Sequence, residues 1–118
     1  MDNSLKGKIA EQAAQNHFIE KGFIIIESNY RCRKAEIDFI AQKDELLAFV
    51  EVKYRGSEAF GYPEEFVSEA QQSRIIEAAD QYLADKKWEG QIRFDIVAVD
   101  KELTLKVFYD AFYEFFLA

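Results

Sequence analysis

The stretch that decides the fold runs from Glu36 to Lys53 and reads EIDFIAQKDELLAFVEVK. It contains two largely apolar runs, Glu36 to Gln42 and Leu46 to Lys53, with three polar residues between them at positions 43–45. Short runs rich in β-branched and aromatic residues, separated by a few polar residues, are typical of two strands joined by a hairpin turn. The stretch therefore predicts an antiparallel pair of β-strands.

Helical and strand patterns lie on either side of this hairpin. Leu5 to Lys21 has apolar residues at helical spacing and is followed by a glycine. Ser68 to Asp85 is the second predicted helix, with a capping box formed by its first residue and Gln71. This helix is long enough to carry a crossover to a parallel strand. Three further strands are predicted at Phe23–Ile26, Ile92–Val99 and Leu103–Tyr109. The order predicts one α/β domain over residues 1–118, with a mixed central β-sheet flanked by helices.

The hairpin places four charged residues on one face of the sheet. With a two-residue turn at positions 44–45, Asp38 stands opposite Glu51, and Glu36 stands opposite Lys53. Two carboxylates that face each other inside a sheet repel, and each raises the pKa of the other. A divalent cation such as Mg²⁺ removes that conflict, and a nearby ammonium adds the positive charge needed to hydrolyse a phosphodiester. The apolar residues of the same strands are expected together on the other face, in the core: Ile37, Phe39, Val50 and Val52.

The same pattern also has a purely structural interpretation. Glu36 and Lys53 would form a cross-strand ion pair, while Asp38 and Glu51 would lie on a solvated sheet face. Charged residues make up 31% of the chain, so a Glu-x-Lys tripeptide carries little weight by itself. Taken alone, the spacing leaves both interpretations open.

The residues around this hairpin resemble a known family. The run EIDFI at Glu36–Ile40, followed by FVEVK at Phe49–Lys53, is similar to the PD-(D/E)XK nucleases, whose restriction-endonuclease-like fold has an α-β-β-β-α-β core. The chain resembles the YraN-type family, uncharacterised protein family 0102, more closely and over most of its length. The other motifs that carry this resemblance are Gly7 with Glu11, Lys21–Phe23, Asn29–Arg31, Arg93–Val97 and Asp110–Phe112.

The resemblance implies a reaction and a set of site residues. The implied reaction is metal-dependent hydrolysis of phosphodiester bonds in DNA, branched or single-stranded, as in the similar archaeal Holliday-junction resolvases. By position, Asp38 and Glu51 would ligate Mg²⁺ or Mn²⁺, Glu11 would assist at the metal, and Lys53 would act on the attacking water. Glu36 would be an accessory residue beside them.

Two departures from the family pattern keep a second function open. Ile37 stands where a proline often precedes the first acid, and Gln71, a second accessory residue, stands where the YraN-type family usually has lysine. The net charge of −7 is also unusual for a protein that coats nucleic acid, which would normally be basic. These features favour a module that binds nucleic acid or a protein partner without cleaving, whereas the acid pair and Lys53 favour the nuclease.

Basic and aromatic residues beside the predicted site are candidate nucleic-acid contacts. One group precedes Asp38, and the other follows Lys53 in a predicted loop that ends at Pro63. Cations there would contact the phosphate backbone, and aromatic rings would stack on unpaired bases. A solvated turn and a lid packed on the core explain the same residues structurally. The candidates are Arg31, Arg33, Lys34, Tyr54 and Arg55.

Three expectations concern the compartment and assembly of the chain. Cys32 is the only cysteine, so no intrachain disulfide forms, and no apolar run resembles a signal peptide or a membrane span. We therefore expect a cytoplasmic protein without a membrane partner. The C-terminal segment is rich in aromatic residues and must be covered, either by its own sheet or first helix or by a second copy in a homodimer. The segment contains Phe108, Tyr109, Phe112, Tyr113, Phe115, Phe116 and Leu117.

Overall fold

Two helices and five strands follow one another along the chain in the predicted order. The computed structural model describes residues 3–57, 61–62 and 65–112. Its elements are α1 (Asn3–Glu20), β1 (Ile24–Cys32), β2 (Ala35–Lys43), β3 (Leu46–Gly56), α2 (Glu69–Lys86), β4 (Gln91–Asp100) and β5 (Leu105–Phe108). Among the described residues, neither helix is long and apolar enough to span a membrane.

The strands form one mixed sheet in the order β1-β2-β3-β4-β5. Neighbouring strands are antiparallel except β3 and β4, which are parallel and are joined by the α2 crossover. The predicted α/β class and mixed central sheet are therefore confirmed. The two-residue turn is also confirmed, because Lys43 pairs with Leu46. Asp44 adopts a left-handed backbone in this turn, with a φ of 53°.

Two strands, β1 and β3, extend three or more residues beyond their predicted ends. Strand β1 continues past Ile26 because its second half pairs with the first half of β2, where Tyr30 lies opposite Ile37. Strand β3 continues to Gly56 because its parallel partner β4 extends alongside it as far as Asp100. The predicted loop therefore begins too early, and positions 54 and 55 belong to the sheet.

The core has two layers, one under each helix. On one face, α1 packs small residues and Phe18 against a cluster that includes Phe39, Ala48 and Val50. On the other face, α2 covers a cluster that includes Ile40, Leu47, Phe49 and Phe94. Each helix thereby shields one face of the central strands from water, and the ends of those strands are left to carry polar groups.

The prediction that Ile37 and Phe39 share a face is wrong. Ile37 packs in the α2-side cluster, whereas Phe39 packs in the α1-side cluster. Their partners in β1 are Tyr30 and Ser28, and between these two lies Asn29 in a left-handed conformation with a φ of 54°. The left-handed residue Asn29 lies at the level of Asp38, and the regular alternation of side chains between the two faces of the sheet is interrupted there.

Candidate active site

The regular pairing of β2 with β3 ends at Asp38, and the Asp38 carboxylate lies between the two strands. The last regular pair is Phe39 with Val50. Beyond it, the backbone N–H of Val52 donates a hydrogen bond of 2.7 Å to Asp38 Oδ2. The Asp38 side chain thus replaces a backbone acceptor, and its carboxyl group lies in hydrogen-bonding contact with that of Glu51. The acid pair that the turn geometry predicted is therefore formed.

Burial shifts the charge state of this pair. The Glu51 residue is only 6% exposed. Burial, followed by the neighbouring charge of Asp38, raises the pKa of Glu51 to about 8. Burial also raises the pKa of Asp38, although the hydrogen bonds from Glu51 and Val52 oppose the shift. Because two carboxylates can share a hydrogen bond only through a proton, the raised pKa of both groups favours a pair that keeps a proton when no cation is bound.

Two further side chains contact the Glu51 carboxylate at the same oxygen. Lys53 Nζ lies 3.4 Å from Glu51 Oε2. Gln71 Nε2 donates a hydrogen bond of 2.5 Å to that oxygen. The Ser68 hydroxyl caps α2 by accepting from Gln71 N at 3.1 Å, as predicted. The other half of the predicted capping box is wrong, because the Gln71 side chain contacts Glu51 and so attaches the first turn of α2 to the site.

The other two predicted acidic residues, Glu36 and Glu11, lie beside the pair of Asp38 and Glu51. Glu36 does not pair with Lys53 but lies opposite Arg31 in β1, whose Nε is 3.3 Å from Glu36 Oε2. Glu11 approaches from α1, and burial, then Asp38, then Glu36 raise its pKa to about 7. Within residues 3–57, 61–62 and 65–112, no three His, Cys, Asp or Glu side chains form a ready-made metal-binding group. The site therefore consists of a close acid pair with a third carboxylate in its electrostatic field.

A small polar cavity of about 200 Å³ opens onto the pair. A larger groove of about 690 Å³ lies elsewhere, on the α1 side, where its lining is mainly apolar and includes Tyr54 and Lys101. Arg74 is exposed on α2 and was not predicted as a site residue, because its position beside the cavity depends on how the helix packs on the sheet. The small cavity is lined by Lys34, Ala35, Glu36, Asp38, Glu51, Gln71, Arg74 and Ile75.

The structure separates the predicted nucleic-acid contacts. Lys34 lines the small cavity, while Arg33 Nη1 lies 3.0 Å from Glu77 Oε1 on α2. Tyr54 packs with the α1-side cluster, on the opposite face from Glu51. The Arg55 guanidinium lies 4.6 Å from the centre of the Phe66 ring.

Asp95 is a buried carboxylate that the sequence analysis did not single out. It is fully buried in β4, and Arg93 from the same strand donates to both of its oxygens. The backbone N–H of Asp110 donates to Oδ1 at 2.9 Å. Asp95 therefore ties the segment after β5 to the sheet. The Arg-x-Asp spacing, which places both residues on one face of a strand, was the available signal.

The fold and the site together define an α/β protein with a buried acid pair and a lysine at the point where two central strands separate. The model of uncharacterised protein family UPF0102 matches residues 10–99. The chain belongs to this family.

Several bacterial relatives align with nearly the whole chain. A UPF0102 protein of Flavobacterium psychrophilum is 42% identical over 112 residues, which cover 92% of this chain and 94% of that protein. A UPF0102 protein of Cytophaga hutchinsonii is 42% identical over 102 residues, covering 86% and 90%. One from Desulforapulum autotrophicum is 47% identical over 97 residues, covering 81% and 80%.

Proposed function

We propose that this chain is a metal-dependent nuclease, of the restriction-endonuclease-like class, that hydrolyses phosphodiester bonds in DNA. The observation that carries the proposal is the buried pair of Asp38 and Glu51 in contact with Lys53. An acid pair that needs a proton to stay buried is costly for stability alone, whereas it suits a site that exchanges the proton for a cation.

The donor set fits Mg²⁺ or Mn²⁺. Asp38 and Glu51 offer only oxygen atoms, which these hard cations prefer, and Mg²⁺ is commonly held by one or two carboxylates with water in its other positions. A bound cation would polarise the phosphate and favour ionisation of water. Glu11 would assist from α1, where burial and then the charge of Asp38 raise its pKa.

The other residues hold these groups in place. Lys53 lies beside the pair, where its ammonium group would orient the attacking water and offset the negative charge that develops on the phosphate. Gln71 fixes the orientation of the Glu51 carboxylate through its side-chain amide. Glu36 borders the same cavity and keeps Arg31 nearby.

A cleavage assay with matched variants tests the proposal. Duplex, single-stranded, flap and four-way DNA would be incubated with Mg²⁺ or Mn²⁺. We expect Asp38→Asn and Lys53→Ala to reduce cleavage by about 10²-fold or more, as loss of a group that stabilises the transition state does. Asp44→Asn makes the same chemical change in the turn of the same hairpin, and it should cleave like the wild type.

The outcomes separate the nuclease from the non-catalytic alternative. Cleavage by Asp38→Asn at the wild-type rate would show that the activity does not belong to this site. Calorimetric titration with Mg²⁺ adds an independent measurement. A metal-dependent enzyme must bind Mg²⁺, and Asp38→Asn should abolish that binding, whereas a non-catalytic module has no such requirement. A wild-type chain that binds DNA but neither binds Mg²⁺ nor cleaves would identify a non-catalytic binding module.

We further propose that a homodimer, if formed through the aromatic C-terminal segment, would present two such sites to one branched DNA. The described members of that segment already pack on their own chain, since Phe112 is 7% exposed and its ring centre lies 5.0 Å from that of Phe94. The dimer proposal thus rests on residues 113–118, which lie outside the described residues. Light scattering on the full chain and on a chain ending at Asp110 tests it. A full-length chain that stays monomeric at high micromolar concentration overturns it.

A further inference from the structure

The five arginines of the chain differ in what their side chains contact. Four of them have a partner, namely Arg31 with Glu36, Arg33 with Glu77, Arg55 with Phe66 and Arg93 with Asp95. Arg74 has no side-chain hydrogen bond or ion pair with any other residue that the structure describes. Among residues 3–57, 61–62 and 65–112, nothing therefore competes with a ligand for its guanidinium.

Arg74 lies beside the cavity that a ligand of the acid pair would occupy. It stands one turn after Gln71 on α2 and lines the small cavity together with Asp38 and Glu51. Lys34 lines the same cavity and likewise has no hydrogen-bonding or ionic partner among the described side chains. The lining of the cavity thus combines the carboxylates of Asp38 and Glu51 with two cations that have no ionic partner among the described residues.

A neighbouring ion pair engages the carboxylate that is closest to Arg74 along α2 in the sequence. Glu77 lies three residues further along α2, a spacing at which a carboxylate and an arginine on one helix attract each other. Glu77 is instead engaged by Arg33 from the turn between β1 and β2, at 3.0 Å. The carboxylate that would otherwise neutralise Arg74 is therefore occupied.

We propose that Arg74, together with Lys34, binds a phosphate group of the nucleic-acid strand beside the acid pair. The inference rests on the proposed nuclease function and names the phosphate-binding residues of that site. A guanidinium presents parallel N–H donors that match two phosphate oxygens, and this geometry makes arginine a preferred phosphate ligand. The positive charges of Arg74 and Lys34 would let a chain with a net charge of −7 bind a phosphate group at this cavity.

Binding measured at several salt concentrations tests the proposal. The probe is a short fluorescein-labelled DNA, single-stranded and as a duplex, with Ca²⁺ in place of Mg²⁺ and a denaturing gel to verify that the strand stays intact. We expect Arg74→Ala to weaken binding about tenfold, because a charge-assisted hydrogen bond is lost. The slope of log K against log salt should fall by about 0.7–0.9, which corresponds to one phosphate contact.

Two variants separate a phosphate contact from a general charge effect. Arg74→Lys keeps the charge and should keep the salt slope, but it should bind more weakly than the wild type because the paired donors are lost. Lys86→Ala removes one positive charge from the same helix, about 18 Å further along, and should bind like the wild type. Thermal melting of each variant verifies the fold.

The possible failures are distinguishable. Arg74→Ala that binds DNA with wild-type affinity and slope overturns the inference but leaves the nuclease proposal standing. Equal losses in Arg74→Ala and Lys86→Ala also overturn it, since the effect would then be nonspecific. A wild-type chain that binds no DNA in any form overturns both.

Discussion

The Glu51 carboxylate has three polar neighbours, and they act on its charge in opposite directions. Burial and the charge of Asp38 raise its pKa, whereas Lys53 lowers it, and the raising effects prevail. The side-chain amide of Gln71 donates to the same oxygen that Lys53 approaches. The carboxylate is therefore held in one orientation before any ligand arrives, and a proton is the group that a cation would have to displace.

The orienting role of Gln71 leads to a prediction. In Gln71→Ala the Glu51 carboxylate loses a hydrogen bond that fixes its direction. Loss of such an outer contact typically costs about 10–100-fold in metal affinity or activity, so we expect Mg²⁺ affinity measured by calorimetry to fall in that range.

The adjacent glutamine provides a matched control for this prediction. Gln72 donates its side-chain amide to the carbonyl oxygen of Val67 and does not contact Glu51. Gln72→Ala should therefore leave Mg²⁺ affinity within about twofold of the wild type, because it removes no contact of the Glu51 carboxylate. If both alanine variants lost affinity equally, Gln71 would have no specific role.

At this scale the sequence predicted the acid pair but not its environment. Asp38 and Glu51 follow from the length of one turn, a local property that the chain itself specifies. The contact of Gln71 with Glu51, and the place of Arg74 beside them, depend on how α2 packs across the sheet. No spacing within the helix encodes that docking.

Among the elements, β1 shows how tertiary pairing overrides local preference. Its second half contains Ser28 and Asn29, which are poor strand formers, and the sequence therefore predicts an end near Ile26. Pairing with β2 nevertheless carries the strand to Cys32, with an irregular register between Ile25 and Glu27. The left-handed Asn29 then falls beside the point where Asp38 leaves the regular ladder.

The Asp95 anchor in β4 leads to a prediction about stability. In Asp95→Asn one acceptor oxygen becomes a donor that faces the guanidinium of Arg93, so a buried ion pair is broken. Breaking such a pair typically costs about 3–5 kcal/mol, and we expect a loss of free energy of unfolding of this order in urea denaturation.

A control variant distinguishes the anchor from a general effect of lost charge. Asp80 lies exposed on α2, and Asp80→Asn should change the free energy of unfolding by less than about 0.5 kcal/mol. An Asp95→Asn protein as stable as Asp80→Asn would contradict the anchoring role.

For the whole molecule, net charge and surface composition predicted less than the local patterns did. A charge of −7 argues against a general coat for nucleic acid, but it does not reveal that Lys34 and Arg74 line the same cavity as the acid pair. Aromatic residues near the C-terminus predict that the segment is covered, and Phe108 and Phe112 do pack on the α2-side cluster of their own sheet. Composition cannot specify which surface does the covering, because apolar burial is not directional.

The acid pair should also make the stability of the whole protein depend on pH and metal. The ordinary pKa of Glu is 4.5, and in the folded protein it is raised to about 8 for Glu51 and to about 7 for Glu11. The folded state thus holds protons that the unfolded state releases, so the stabilisation is present below about pH 4.5 and is lost as the pH rises towards 8. In metal-free buffer we expect the free energy of unfolding to fall by a few kcal/mol over that range.

Asp38→Asn and added Mg²⁺ should each reduce this loss, for different reasons. The variant removes one of the two charges that raise each other's pKa, so its urea midpoint should fall less between pH 5 and pH 8 than that of the wild type. Mg²⁺ stabilises only a folded state that binds it, and it binds ionised carboxylates, so it should raise the wild-type midpoint more at pH 8 than at pH 5. A wild-type protein equally stable at both pH values without metal would contradict the shared proton. Equal stabilisation of Asp38→Asn and wild type by Mg²⁺ would place the cation elsewhere, because only the wild type has two carboxylates to exchange a proton for it.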